Sequence, residues 1–412
     1  MRTAISLGLI ALLACSRGVE GERPVPPAKA DETSALLHHE VRADRLPAPY
    51  ATPSAATVSR QTGSPRNARF VLPPRFSISL WAEDLPEPRN MIQAPNGDVL
   101  VACMSGREID VLRDADGDGK AEKRWVFHDG LNRPFGLALR GNHLYAGNTD
   151  AVVRFDYKPG QTTASGEPVT IAPLPRGGHA TRNLLFNRDG SKLYVSIGSA
   201  SNVDDETDDP RRAAIMEMNP DGSGRRIFAS GLRNPIGLAW NPANRTLWTV
   251  VNERDGLGDE LVPDYITEVK AGAFYGWPFS YIGKNVDPRR RGERPDLVAK
   301  AIPPSLLFAS HSAPITLAFY NGTMFPEKYR GGAFVALHGS WNREKLTGYE
   351  IVHVPFRNGQ PAGGYDDFVL GWIAHPDGRE VYGRPAGVLV LRDGSLLIAD
   401  DGANVIWRVT YR

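Results

Sequence analysis

The chain has 412 residues, a formal net charge of +1 and 41% hydrophobic residues. That length holds one large domain with a tail, and the balanced charge excludes the strong basic excess of a nucleic-acid binder. Its 42 glycines and 33 prolines suit a chain of many short strands and turns.

At the N-terminus, Arg2 precedes an apolar run from Ala4 to Ala14 that is too short for an ordinary membrane-spanning helix. Leu12-Leu13-Ala14-Cys15 then reads as a bacterial lipobox, in which Cys15 becomes the lipidated first residue. The bland alternative is a signal peptide ending on a chance Cys; both export the chain. The expected location is the periplasmic side of a bacterial membrane, with the lipid as the sole membrane contact. Lipidation of Cys15 leaves Cys103 alone, so no disulfide is expected. Residues 16–67 carry clustered Pro, Ala, Ser and Thr without an apolar period. They are predicted to be a flexible, disordered tether, with His38-His39 a solvated pair.

From residue 68 to residue 412 the pattern changes to recurring strand signals. Asn96–Val101, Gly141–Ala146, Asp189–Val195, Asn244–Val250, Gly331–Val335 and Asp393–Ile398 each join a polar turn to a short apolar or alternating run. A second motif precedes most of them: Arg89-Asn90-Met91, Arg133-Pro134-Phe135, Arg182-Asn183-Leu184, Arg233-Asn234-Pro235, Ala313-Pro314-Ile315 and Arg384-Pro385-Ala386. Arg89 to Leu100, Arg133 to Leu144 and Arg182 to Leu193 are each 11 residues apart; Arg233 to Leu247 is 14 and Arg384 to Leu396 is 12. Six copies of one paired motif predict an all-β, six-bladed β-propeller. A two-sheet sandwich is the competing all-β reading, but it gives no reason for six copies.

In a propeller the innermost strand of each blade starts at one mouth of the central channel, so equivalent residues form a ring. That ring is expected to hold Asn132, Arg133, Arg182, Asn183, Arg233, Asn234, Ala313 and Arg384, with His179 and His311 just upstream. Converging guanidinium groups repel one another unless an anion sits among them, and their planar forks suit carboxylates. The funnel therefore predicts a multiply carboxylated ligand. The alternative is that each Arg caps its own blade through backbone carbonyls.

Gly178-His179-Ala180-Thr181-Arg182-Asn183-Leu184, Leu232–Leu238 and Phe274-Tyr275-Gly276-Trp277-Pro278 resemble segments of sugar dehydrogenases that use pyrroloquinoline quinone (PQQ). Leu72–Phe76, Asp114–Gly119, Asp129–Pro134 and Leu337-His338-Gly339-Ser340-Trp341-Asn342-Arg343 are closer to the L-sorbosone dehydrogenase-like branch, which is related to fungal quinoprotein pyranose dehydrogenases. The resemblance spans about Arg69 to Arg412. It implies a propeller holding PQQ at the channel mouth with calcium beneath the quinone, and a sugar or sorbosone-like substrate.

By that resemblance His179 is the general base, a role its unperturbed pKa suits. Arg233, Asn234 and Arg384 match residues that hold the cofactor, with Arg182 and Asn132 as further members of the ring. The loop Asn252–Asp259 matches one whose carbonyls, here of Asp255 and Gly256, coordinate the cofactor calcium. Three departures stand out. Leu131 replaces a Gln, Ala386 replaces a second Arg, and the family's cofactor-binding Lys falls near Leu337 or His338. His338 or Arg343 is expected to supply that missing charge. The departures put glucose itself in doubt as the substrate.

Asp114, Asp116 and Asp118 before Gly119 look like the opening of a second calcium loop. Trp125 stands where a bidentate Glu would be, with Glu122 as an alternative ligand; a solvated acidic turn is the other reading. The acidic run Asp204, Asp205, Glu206, Asp208, Asp209 and the basic run Arg289-Arg290-Arg291 read as exposed loops. Trp341 and Tyr275 are candidate walls for a sugar, or core packing. No Cys-x-x-Cys-His haem motif occurs, so electrons are expected to leave to a separate cytochrome or quinone. A metal-dependent propeller lactonase and a non-enzymatic binding propeller are the competing functions.

Overall fold

The computed structural model of the chain describes residues 36–204 and 209–412. Cys15, Asp205, Glu206 and Asp208 lie outside the described residues. Among the described residues six large antiparallel sheets follow one another, five of four strands and one of five. Blade 1 is Pro88–Gln93, Val99–Cys103, Glu108–Arg113 and Lys123–His128, and blade 2 is Leu137–Arg140, His143–Asn148, Ala151–Asp156 and Val169–Pro173. Blade 3 is Leu184–Phe186, Leu193–Ile197, Ala214–Met218 and Arg226–Ser230. Blade 4 is Asn234–Trp240, Leu247–Asn252, Pro263–Val269 and Leu306–Ser310. Blade 5 is Pro314–Phe319, Ala333–Leu337, Glu350–Val354 and Tyr365–Val369, and blade 6 is Pro385–Val390, Leu396–Asp400, Val405–Tyr411 and, out of chain order, Phe76–Ala82. The first strands of successive blades are neighbours, and Pro385–Val390 lies beside Pro88–Gln93. The ring closes as a six-bladed propeller.

Side chains alternate across a strand, and here both faces of each blade are covered. Val101 and Cys103 pack with Leu397, Ala399 and Ile406 of blade 6, while Leu100 and Ala102 between them pack with Leu144 and Val153 of blade 2. Comparable apolar layers join blades 2 and 3, 3 and 4, 4 and 5, and 5 and 6. This is why the second strands read as continuous apolar runs rather than as alternation. The hairpin before each run turns on a residue in the left-handed region: Gly97 at φ 101°, Gly190 at 70° and Gly394 at 87°. Arg245 takes that conformation in blade 4, at φ 62°, where a side chain is less comfortable.

The first strand carries a second device. In blades 1, 4, 5 and 6 its register slips at the start, between Pro88 and Asn90, Pro235 and Leu238, Pro314 and Thr316, and Pro385 and Gly387. An irregularity of this kind bends the strand and re-aims side chains. Blades 2 and 3 pair their first two strands without a slip.

The predicted tether extended to residue 67, but residues 36–67 are laid against the propeller. His38 and His39 pair with Asp366 and Tyr365 as the fifth strand of blade 5, and Arg60-Gln61 runs parallel to Glu380-Val381. Between them Tyr50 N donates to Leu257 O (2.6 Å), Asp259 N donates to Thr52 Oγ1 (2.9 Å), and Thr57 Oγ1 donates to Glu344 O (3.0 Å). The segment has no periodic apolar signal; backbone bonds and His–Asp pairs hold it, with Val41 and Leu46 packed against the core. Of His38-His39, His38 is solvated as expected, 55% exposed beside Asp366, whereas His39 is half-buried with its ring 2.7 Å from the buried Asp367 carboxylate.

Candidate active site

A cavity of about 300 Å³ opens at one mouth of the channel, at the lower end of the range for small-molecule sites. Blades 1, 4 and 6 each contribute a guanidinium, from Arg89, Arg233 and Arg384. These are blades whose first strand carries the slipped register. Arg233 is buried; its Nη1 and Nη2 donate to Asn252 O (3.3 Å) and Asn202 O (3.1 Å), and its Nε has no partner. Arg384 lies over the Tyr349 ring at 5.4 Å and donates to His338 O (3.2 Å) and Gly339 O (2.8 Å). Arg89 Nε approaches Asp401 Oδ2 at 2.7 Å, and the same carboxylate meets His338 Nε2 at 2.8 Å.

His179 faces this group from the loop before blade 3. Gly178 precedes it at φ 61°, and a Cβ there would sit 2.7 Å from Ser199 O; only glycine allows the loop so close to its neighbour. His179 Nδ1 donates to Ser199 O at 2.9 Å. In the neutral ring this leaves Nε2 as the unprotonated nitrogen. Burial, aided by the charge of Arg233, pushes the His179 pKa down to about 3. The imidazole is therefore a neutral acceptor across the ordinary pH range. His338 is pushed down to about 4 by burial and by Arg384, against the pull of Asp401, which is itself lowered to about 2.

Acidic groups line the blade 4 side. Glu253, Asp255 and Asp264 all reach the cavity. Asp264 is fixed by the amides of Glu253 and Ala313, each at 2.7 Å, and burial pushes its pKa up to about 7. Asn342 Nδ2 donates to Asp255 Oδ1 at 2.7 Å, and Asn234 Nδ2 reaches Asn252 Oδ1 at 3.4 Å.

The profile of the TrAA12-like family matches residues 70–268 and 290–412. The chain belongs to the TrAA12-like family. An uncharacterised protein of Borreliella burgdorferi is 28% identical over 356 residues, covering 82% of this TrAA12-like chain and 90% of its own. A pyrroloquinoline quinone-dependent pyranose dehydrogenase of Coprinopsis cinerea is 24% identical over 324 residues, 68% of this chain and 44% of that enzyme. The chain thus spans less than half the length of that relative. The calcium structure of a Trichoderma reesei enzyme of carbohydrate-active family AA12 superposes with a TM-score of 0.75 at 21% identity, over 86% of this chain and 100% of that one. That likeness shows a shared propeller fold.

Of the residues expected at the site of this TrAA12-like protein, His179, Arg233, Asn234, His338 and Arg384 line one cavity. Four others do not. Arg182 is fully buried and gives its guanidinium to the carbonyls of His179 (2.5 Å), Thr181 (2.8 Å) and Pro175 (2.9 Å). It caps its own loop, the alternative reading of the Arg ring. Asn132 is exposed outside the cavity, its carbonyl accepting from Thr149 N at 2.9 Å. Arg343 is spent on Ser310 O (3.2 Å) and Glu260; His338 lines the cavity, but with its pKa pushed down to about 4 it does not supply the charge of the missing Lys at ordinary pH. The Asp255 carbonyl accepts from Arg289 Nη1 at 3.1 Å while its carboxylate faces the cavity, and Gly256 is not part of the lining.

Asp114, Asp116 and Asp118 do gather with Glu122, their ligand atoms within 4.8 Å of one another, in an exposed loop away from the cavity. Arg289 is not a solvated loop residue, since it pairs with Asp287 at 2.7 Å. Tyr275 is core, its hydroxyl donating to Glu268 O at 2.7 Å, whereas Trp341 is 44% exposed on the cavity rim. Sequence reasoning missed Arg89, Asp264, Asn342 and Asp401 as cavity-side residues. Arg89 had a signal, its place in the repeated motif; Asp401 acts through Arg89 and His338, contacts between distant parts of the chain.

Proposed function

We propose that this chain is a PQQ-dependent dehydrogenase of a pyranose or related sugar, with His179 as the base. One observation carries the reading. Three guanidinium groups from separate blades share a cavity with an imidazole whose Nδ1 is committed to a carbonyl. The printed activity of the Coprinopsis relative supports it. The residues fit the cofactor: Arg233 keeps a buried Nε without a partner, and guanidinium forks match planar carboxylates. PQQ, when bound, supplies a quinone that accepts a hydride from the alcohol carbon, with calcium beside it as a Lewis acid.

The chain's own residues do the rest. His179 Nε2 accepts the proton of the sugar hydroxyl, and Ser199 O holds the ring in the required tautomer. Arg89, Arg233 and Arg384 orient the anionic cofactor. Trp341 offers an exposed aromatic face at the rim, where a pyranose ring can pack. A structural calcium in the loop of Asp114, Asp116 and Asp118, export with lipidation at Cys15, and electron transfer to a separate cytochrome or quinone belong to the same proposal.

The test is to supply purified protein with PQQ and calcium and to offer aldoses and sorbosone-like aldehydes with a dye acceptor. Sugar-dependent dye reduction is expected. Lactone cleavage without dye reduction would select a propeller hydrolase instead. His179→Ala should lower turnover by about 10²–10⁴-fold while PQQ titrates as in the unaltered protein; full activity in that variant removes His179 as the base.

A further inference from the structure

Residues 36–67 precede the family match, which begins at residue 70, and their ends and middle make different contacts. The ends lie along sheet edges, His38-His39 beside Tyr365-Asp366 and Arg60-Gln61 beside Glu380-Val381. Covering an edge strand is an ordinary structural duty. The bonds that residues 50–57 make to the propeller go instead to loops at the cavity rim. Tyr50, held at φ 65°, donates from N to Leu257 O (2.6 Å), and Thr52 Oγ1 accepts from Asp259 N (2.9 Å). The two backbones lie so close that a Cβ on Gly258, at φ 134°, would sit 3.1 Å from Thr52 O. Further on, Thr57 Oγ1 donates to Glu344 O (3.0 Å).

Both loops lead into the cavity. Gly258 O accepts from His311 Nε2 (3.1 Å), and His311 Nδ1 accepts from Asn342 Nδ2 (3.0 Å). Glu344 N donates to Asp259 Oδ1 (2.7 Å), and Arg343 bridges Glu260 to Ser310 O. His311, Trp341 and Asn342 line the cavity, with Trp341 exposed on its rim. Residues 338–349 carry no helix or strand, so the place of Trp341 depends on what ties its loop at either side. Before it, Ser340 donates from N to Thr347 O (2.9 Å), accepts at Oγ from Thr347 N (3.0 Å) and gives its carbonyl to Tyr349 (2.7 Å). After it, the ties are those of Asn342, Arg343 and Glu344 to His311, the loop Leu257–Asp259 and residues 50–57. His179 is bonded instead to Ser199.

We propose that Thr52 and Thr57 are positioning residues for the sugar: their segment straps the two rim loops together and so fixes Trp341 at the spacing that holds a pyranose ring over the cavity. The proposal deepens the dehydrogenase reading and rests on it for the ligand, not for the fastening. Without the two hydroxyl contacts the loops are free to part. The sugar is then held less tightly, while proton transfer to His179 proceeds as before.

Thr52→Val combined with Thr57→Val removes both contacts and keeps the side-chain shapes; should the pair fail to fold, each single substitution carries the test. Two readouts are taken. Hydrogen exchange of the protein without cofactor is expected to be at least threefold faster at Asp259 and across Asn342–Glu344, and unchanged in the core strand Ala333–Leu337. Dye reduction with a panel of aldopentoses and aldohexoses, at saturating PQQ and calcium, is expected to show KM raised about three- to tenfold. In the same assay kcat stays within about twofold and its pH profile is unshifted, because His179 is untouched. Thr52→Ser with Thr57→Ser keeps both hydroxyls and should restore both readouts. Exchange as slow as in the unaltered protein overturns the inference. So does an active enzyme in which KM is unmoved, or in which kcat falls as far as KM rises. Dye reduction by the unaltered protein alongside any of these results leaves the dehydrogenase reading intact. Faster exchange at both loops in a protein that reduces no dye with any aldose supports the positioning of the rim and ends that reading instead.

Discussion

His179 is a base kept uncharged by its surroundings, and this has a cost that can be measured. In the unfolded chain its pKa lies near 6.5; in the fold it is pushed down to about 3. Below pH 6.5 the unfolded state takes a proton that the folded state refuses, so stability falls as pH drops from 6.5 toward 3. At pH 4.5 the loss is roughly 2 to 3 kcal/mol, and His338 adds to it in the same direction. Urea unfolding at pH 7.5 and 4.5 should therefore show a smaller acid loss for His179→Gln than for the unaltered protein. Arg182 and Arg384 give a paired prediction. Arg182→Met strands the carbonyls of Pro175, His179 and Thr181 and should cost about 2 to 4 kcal/mol of stability. Arg384→Ala should cost less stability and weaken PQQ about ten- to hundredfold, read by fluorescence titration. The two arginines occupy the same place in the repeated motif, so sequence alone gave them one role. What separates them is the register slip at the start of blade 6, absent from blade 3, and such a slip depends on pairing that no local pattern records.

Strands and hairpins were legible because each follows a polar turn and a short apolar run, and the turn glycines have the positive φ that their places require. The segment 36–67 was not, because its partners lie far along the chain: Asp366, Asp367, Leu257, Glu344 and Val381. It fastens the loop Leu257–Asp259 and the loop that carries Trp341 and Asn342, and so holds both sides of the cavity rim. Its first clasp is pH-dependent. The hydrogen bond to Asp367 raises the His39 pKa, with Asp366 adding to it. The clasp is at full strength below pH 6.5 and weakens as pH rises through the raised folded value. Hydrogen exchange of the amides around Leu37 and His39 should therefore accelerate above that value by more than the intrinsic rate does. His39→Ala should show the faster exchange already at pH 6.

At the scale of the molecule, six copies of a paired motif made the propeller readable, and the ring places the start of every blade at one mouth. The closure was not readable, because Phe76 pairs with Tyr411 and no motif marks either end. Blade 6 takes its outer strand from before blade 1 and its other three from the last residues. Deleting residues 405–412 removes the strand between Leu396–Asp400 and Phe76–Ala82. It should abolish the cooperative melting transition seen by calorimetry rather than lower its midpoint by a few degrees.

Arg384 belongs to that same late segment. On the ribosome, until residues 384–412 emerge, the face of blade 1 that packs on blade 6 is uncovered and the pocket lacks one of its three cations. A cofactor offered to a nascent chain therefore finds nowhere to settle. Ring and binding site are completed together by one stretch, residues 384–412.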